Sequence, residues 1–164
     1  MKYERFEDLP VWKDAVQFAV DVFLLTEDTS FRNKGDIANQ LQRAAFSISN
    51  NIAEGFERGT TPELLTFLYI ARGSAGESRS ILCVCEQLPF FDHLKSQISN
   101  LKLYGESISR QLRAWADSLQ NSAIKGQRYL TDKTRQQTVQ QKRADELLQK
   151  LKTFTPHLNQ QSEI

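Results

Sequence analysis

Glu54 and Glu77 are the two carboxylates that call for a chemical reading, because they fall on two different predicted helices, as the carboxylates of a helical di-metal site do. Helical di-metal sites take Glu from two helices and Glu-x-x-His from two more, and the chain has no Glu-x-x-His. Its histidines, His93 and His157, stand in no spacing with Asp, Glu or Cys that builds a metal site. Ser74 and Ser78 lack a histidine placed to activate them as nucleophiles. Gly55 and Gly59 are not followed by Lys-Ser or Lys-Thr, so no phosphate loop is expected. Cys83 and Cys85 are two apart on a helical pattern and point about 200° from each other, which argues against a bridge between them. We therefore expect no enzyme activity, no metal and no cofactor.

With catalysis set aside, the polar side chains along the second helical segment read as structural. Gln40, Ser47, Asn51, Glu54 and Arg58 form a narrow stripe beside an apolar face, so burial and mutual pairing are expected. The expected network joins Gln40, Arg43, Asn51, Glu54, Arg58 and Glu77 and locks helix register.

The elements that must carry these residues are helices. Glycine and proline are too sparse, at seven and four, to punctuate many strands. Pro10 opens a first helix, whose face is read as Trp12, Ala15, Val16, Ala19, Val22 and Phe23. A second runs from about Asp36 to about Glu57 on Ile37, Leu41, Ala44, Ala45, Ile48 and Ile52. Thr60 and Glu63 have capping-box spacing and start a third helix, which extends to about Leu88. Its face is read as Phe67, Ile70, Ala71, Ser74, Ser78, Ile81, Cys85 and Leu88. Within it, Gly73-Ser74-Ala75-Gly76 predicts close approach of a neighbouring helix, since mid-helix glycine costs up to about 1 kcal/mol. Asp92 is placed to cap a fourth helix, whose seam is Leu94, Ile98, Leu101, Gly105, Ile108, Leu112, Trp115 and Leu119. The fold class predicted is all-α: an antiparallel up-down-up-down four-helix bundle of residues 5–122 with a basic, Gln-rich extension over 123–164.

Charge is distributed unevenly. Residues 1–124 hold 13 basic and 16 acidic side chains, and residues 125–164 hold 8 and 4. Phosphate contacts are therefore expected only from local patches: Arg72 and Arg79 on the third helix, Arg110 and Arg113 on the fourth, and Lys125, Arg128, Lys133, Arg135, Lys142 and Arg143 in the tail. Phe18 and Leu25 on the first helix, and Phe46 on the second, fall off the apolar stripes and are expected to form an oligomer interface. The opening residues lack the apolar core of a signal peptide, and no run approaches the roughly 18 residues that span a bilayer, so a cytoplasmic protein without membrane contact is expected.

Three segments carry a resemblance. The string from Gln40 to Gly55 (QLQRAAFSISNNIAEG), the string from Phe67 to Glu77 (FLYIARGSAGE) and the opening from Phe6 to Lys13 (FEDLPVWK) resemble, in this order, the 23S rRNA intervening-sequence proteins. The likeness spans about residues 6–120. It implies an up-down-up-down bundle, a ring-shaped homopentamer and a cytoplasmic bacterial setting. A related group acts as the accessory protein of diversity-generating retroelements, and its likeness implies RNA or DNA, or a reverse transcriptase, as partners. The mildly acidic body departs from the strongly basic ring surface of that group. The function expected from all this is a homo-oligomeric scaffold or adaptor, with nucleic-acid binding as the alternative.

Overall fold

The computed structural model describes residues 3–121 and, in the tail, residues 140–141 and 143–150. The chain divides into two units, Met1–Arg128 and Tyr129–Ile164. In the first, α1 (Pro10–Thr26), α2 (Ile37–Glu57), α3 (Thr61–Gln87) and α4 (Lys95–Gln120) are joined by short connections that include 3-10 turns at Thr29–Phe31 and Pro89–Leu94. Each helix packs on the next, and α1 packs on α4, which closes a four-helix bundle. No strand occurs among the described residues. In the second unit, residues 140–141 and 143–150 are helical, and Leu147 and Leu148 are exposed.

Local chemistry explains most boundaries. Pro10 occupies the first turn of α1, where its missing N–H costs nothing. The Thr60 hydroxyl accepts from the Glu63 backbone N–H at 3.4 Å and donates to the Glu63 carboxylate at 2.6 Å, starting α3. Asp92 does not cap α4. It lies inside the preceding 3-10 turn, which continues through His93 and Leu94 before α4 begins, and it pairs with Lys95 at 2.8 Å.

The core departs from the sequence reading on two helices. On α1 the buried apolar side chains are Val11, Ala15, Phe18, Ala19, Val22 and Leu25, while Phe23 is exposed. Phe18 and Leu25, expected at an oligomer interface, are 0% and 3% exposed and belong to the bundle's own core. The reason is non-local: Phe18 fits above Gly105 of α4, whose missing side chain leaves the space, and meets Tyr104 edge to face at 6.0 Å. On α3 the buried set includes Leu64, Leu68 and Leu82, and Ile70 faces solvent. The α2 face is buried at Leu41, Ala44, Ala45, Ile48 and Ile52.

Close approach of α2 to α3 occurs at Gly55 and not at the glycines of α3. A Cβ at Gly55 would stand 2.6 Å from the Phe67 Cβ, whereas a Cβ at Gly73 or Gly76 would meet nothing within 4 Å. Cys85 is buried, and desolvation pushes its thiol up to about 11, while Cys83 is exposed.

Two outcomes follow from this packing. Gly55→Ala should destabilise the chain by about 1–3 kcal/mol in urea unfolding, with Gly59→Ala, in open space, as a near-neutral control. An alkylating reagent at pH 8 should modify Cys83 and spare Cys85, of which only about one thiol in a thousand is ionised, until the chain is denatured.

Candidate functional site

The signature-bearing helices α2 and α3 are joined by a short polar seam. Asn51 donates from Nδ2 to the Ser47 carbonyl at 2.7 Å and to the Ser47 hydroxyl at 2.9 Å. The Ser47 and Ser74 hydroxyls meet at 2.9 Å across the helix pair. Ser74 in turn donates to the Ile70 carbonyl, and Ser78 to the Ser74 carbonyl, so the hydroxyls of α3 are satisfied along their own helix. These serines serve helix contact, and His93, the histidine among the described residues, lies beside Asp28 and Ser30 instead.

Of the rest of the expected network, only the Glu54–Arg58 bond forms among the described residues, and it lies apart from the Asn51–Ser47 bonds. Gln40, Arg43, Glu54, Arg58 and Glu77 are exposed, because the α2–α3 contact covers only the inner edge of the polar stripe. Glu54 and Arg58 pair at 2.7 Å one turn apart, and Arg58 also reaches Glu63 at 3.7 Å and lies over the Phe67 ring at 5.2 Å. That group marks the α2–α3 corner. Glu77 belongs elsewhere, in an open groove of 300 Å³ with Asp36, Gln40, Arg43, Ala44 and Ser47. Among the described residues, no side chain hydrogen-bonds or ion-pairs with Gln40, Arg43 or Glu77. Glu54 and Glu77 are thus not brought together, and no group of three or more His, Cys, Asp or Glu side chains among the described residues could hold a metal ion.

Arg43 also borders a larger groove of 550 Å³ on the α1 side of α2, lined by Phe23, Asn39, Gln42, Phe46, Asn50 and Asn51. Next to it lies an apolar cleft of 230 Å³ between α1 and α2, lined by Val16, Ala19, Val20, Phe23, Leu24, Phe46 and Ser49. Phe23 and Phe46 meet edge to face at 6.5 Å. Leu24 is 67% exposed, Phe46 53%, Val20 45% and Phe23 43%. Only Phe46 of this patch was expected from sequence. Val20, Phe23 and Leu24 become identifiable once Phe18 and Leu25 are known to be buried, because one helical face cannot hold both sets.

The bundle arginines expected to meet phosphate are largely occupied. Arg110 pairs with Glu106 at 2.8 Å, Arg79 approaches the same carboxylate at 3.8 Å, and Arg113 binds Asp117 at 3.0 Å. Arg72, half-buried, has no such partner among the described residues. Lys125, Arg128, Lys133, Arg135 and Lys142 lie outside the described residues, and Arg143 is exposed on the helical segment of the second unit. Elsewhere, Lys102 on α4 binds Glu86 on α3, and the Glu86 hydrogen bond raises the lysine's pKa. At the end of the bundle where two connections meet, His93 Nε2 lies 3.3 Å from both Asp28 and the Ser30 hydroxyl. Ser30 donates to Asp28 at 2.6 Å and not to the imidazole, so this is a clasp between connections and not a nucleophile–base pair.

No helix among the described residues is long and apolar enough to cross a membrane. No curated protein matches the sequence. A solved structure from Bacteroides thetaiotaomicron, a protein of unknown function from the S23 ribosomal protein family, aligns with a TM-score of 0.58 at 18% identity, over 65% of this chain and 97% of that one. At that identity the likeness shows the fold. The family model of the 23S rRNA-intervening sequence protein matches residues 7–114, and with three signature segments on α1, α2 and α3 of one bundle, this chain belongs to that family.

Proposed function

We propose that the chain is a non-enzymatic homo-oligomeric scaffold or adaptor, acting as a ring of copies, five in the form its family resemblance implies, and offering a protein or nucleic-acid partner a repeated surface. The observation that carries this reading is the apolar patch of Val20, Phe23, Leu24 and Phe46. Two leaning aromatic rings with an aliphatic residue on either side make a contiguous surface of the kind that soluble monomers avoid. The patch lies on α1 and α2 alone, and the ring reading takes it to be covered by a different surface of the next copy. A contact between unlike surfaces repeats from copy to copy and closes into a ring. A direct nucleic-acid role finds less support in the bundle, where Glu106 and Asp117 pair with three of its four candidate arginines, Arg79 and Arg110 sharing Glu106.

Light scattering on the full chain tests the reading. A mass several times 18.9 kDa is expected. Phe23→Ser with Phe46→Ser should weaken assembly about 100-fold and yield the single chain at micromolar concentration, with helical circular dichroism retained. A wild-type chain that stays monomeric at high concentration, or a double variant of unchanged mass, contradicts it.

A further inference from the structure

Between α1 and α4 lies an open groove of 330 Å³. Asp21, Gln97, Asn100 and Tyr104 form its polar wall, and Leu25 and Leu101, 3% and 6% exposed, form its floor. An apolar floor under a few polar groups is the usual make-up of a small-molecule site, and the space between bundle helices is a usual place for one. The carboxylates here are held only by neutral groups. Asp21 accepts from Gln17 Nε2 at 2.8 Å, and Asp14 accepts from Gln111 Nε2 at 2.7 Å and from the Tyr104 hydroxyl at 3.5 Å. At the α3–α4 contact carboxylates meet cations instead, Glu86 with Lys102 and Glu106 with Arg79. The Tyr104 phenol registers the difference: its pKa is raised by burial first, and then by the charges of Asp14 and Asp21.

Spacing and lining select the ligand. Asp14 and Asp21 stand seven residues apart on α1, so they share one helical face about 10.5 Å apart along the axis. A metal ion fits poorly, because it needs about six oxygen ligands and the groove offers one carboxylate over leucines. An anion meets repulsion. A methylene chain carrying ammonium groups meets each requirement, since its stem can cover Leu25 and Leu101 while its charges reach both carboxylates.

We propose that this groove binds a linear polyamine. One terminal ammonium donates to Asp21 and to the side-chain carbonyls of Gln97 and Asn100. The stem lies on Leu25 and Leu101, and the next ammonium along the chain reaches toward Asp14. The site is built within one copy, so the proposal stands apart from the assembly reading.

Spermidine is the probe, titrated into the isotope-labelled full chain at about 0.15 M salt, where diffuse surface attraction is largely screened. The side-chain amide resonances of Gln97 and Asn100 should shift and saturate at about 1 mM or below. Asp21→Asn, which keeps an acceptor for Gln17, should weaken binding about 10-fold or more. Glu57→Gln, the same charge change on the exposed side of α2, should leave it unaltered. Magnesium, and a lysine amide bearing one ammonium on a similar stem, should each bind about 10-fold more weakly than spermidine. Equal shifts with magnesium would reduce the site to a patch of counterions, and equal affinity for the lysine amide would assign it to a protein side chain. Unaltered affinity in Asp21→Asn would remove it altogether. Each of these three results overturns the proposal.

Discussion

Where α2 crosses α3, the Cβ of Phe67 comes so near the backbone at Gly55 that no side chain fits there, and a few turns away the Ser47 and Ser74 hydroxyls meet at 2.9 Å. This approach sets the rest of the bundle. It holds the two helices close enough that the inner edges of their faces, Leu41, Ile48 and Ile52 against Leu64, Leu68 and Ala75, exclude water completely. It also leaves their outer edges uncovered, because helices this close have no third neighbour on that side. Gln40, Arg43 and Glu77 are consequently in solvent beside a fully buried core.

The other contacts rest on similar fits. Gly105 on α4 makes room for Phe18 on α1, and around that contact Asp14 accepts from Gln111 at 2.7 Å and from the Tyr104 hydroxyl at 3.5 Å. Gln42 on α2 donates to the Thr26 hydroxyl on α1 at 2.7 Å. Polar bonds of this kind specify which helices meet and in what register, while apolar burial supplies most of the stability. The core is therefore complete within one copy, and the large apolar side chains left exposed include Val84 and Leu103 on α3 and α4 as well as the contiguous patch on α1 and α2.

How much of this was legible in the sequence varied with the contrast between apolar and polar positions. On α2 the contrast is sharp, so Leu41, Ala44, Ala45, Ile48 and Ile52 were identifiable from period alone. On α1 nearly every position from Val11 to Leu25 except Lys13, Asp14, Gln17 and Asp21 is apolar, so two overlapping stripes satisfy the same period. The choice between them is made by Gly105, 87 residues from Phe18 in the sequence and on the neighbouring α4, which no local pattern reports. On α3, Phe67, Ile70 and Ile81 compete with Leu64, Leu68 and Leu82 in the same way. The polar stripe of α2 was read as buried because it abuts the core on a helical wheel. Whether a neighbour covers that edge depends on interhelical geometry, which a single helix's pattern does not report, and Arg43 and Glu77 instead border an open groove. Gly73 and Gly76 were visible as a costly feature, but the direction in which they face was not.

Mass against concentration decides whether another copy closes the apolar patch of Val20, Phe23, Leu24 and Phe46. Over a dilution series the full chain should scatter as an assembly several times 18.9 kDa, and Leu24→Ser, at the most exposed residue of the patch, should lower it to the single chain with helical circular dichroism retained. A wild-type chain that is monomeric throughout the series, or a Leu24→Ser variant of unchanged mass, is the opposite result.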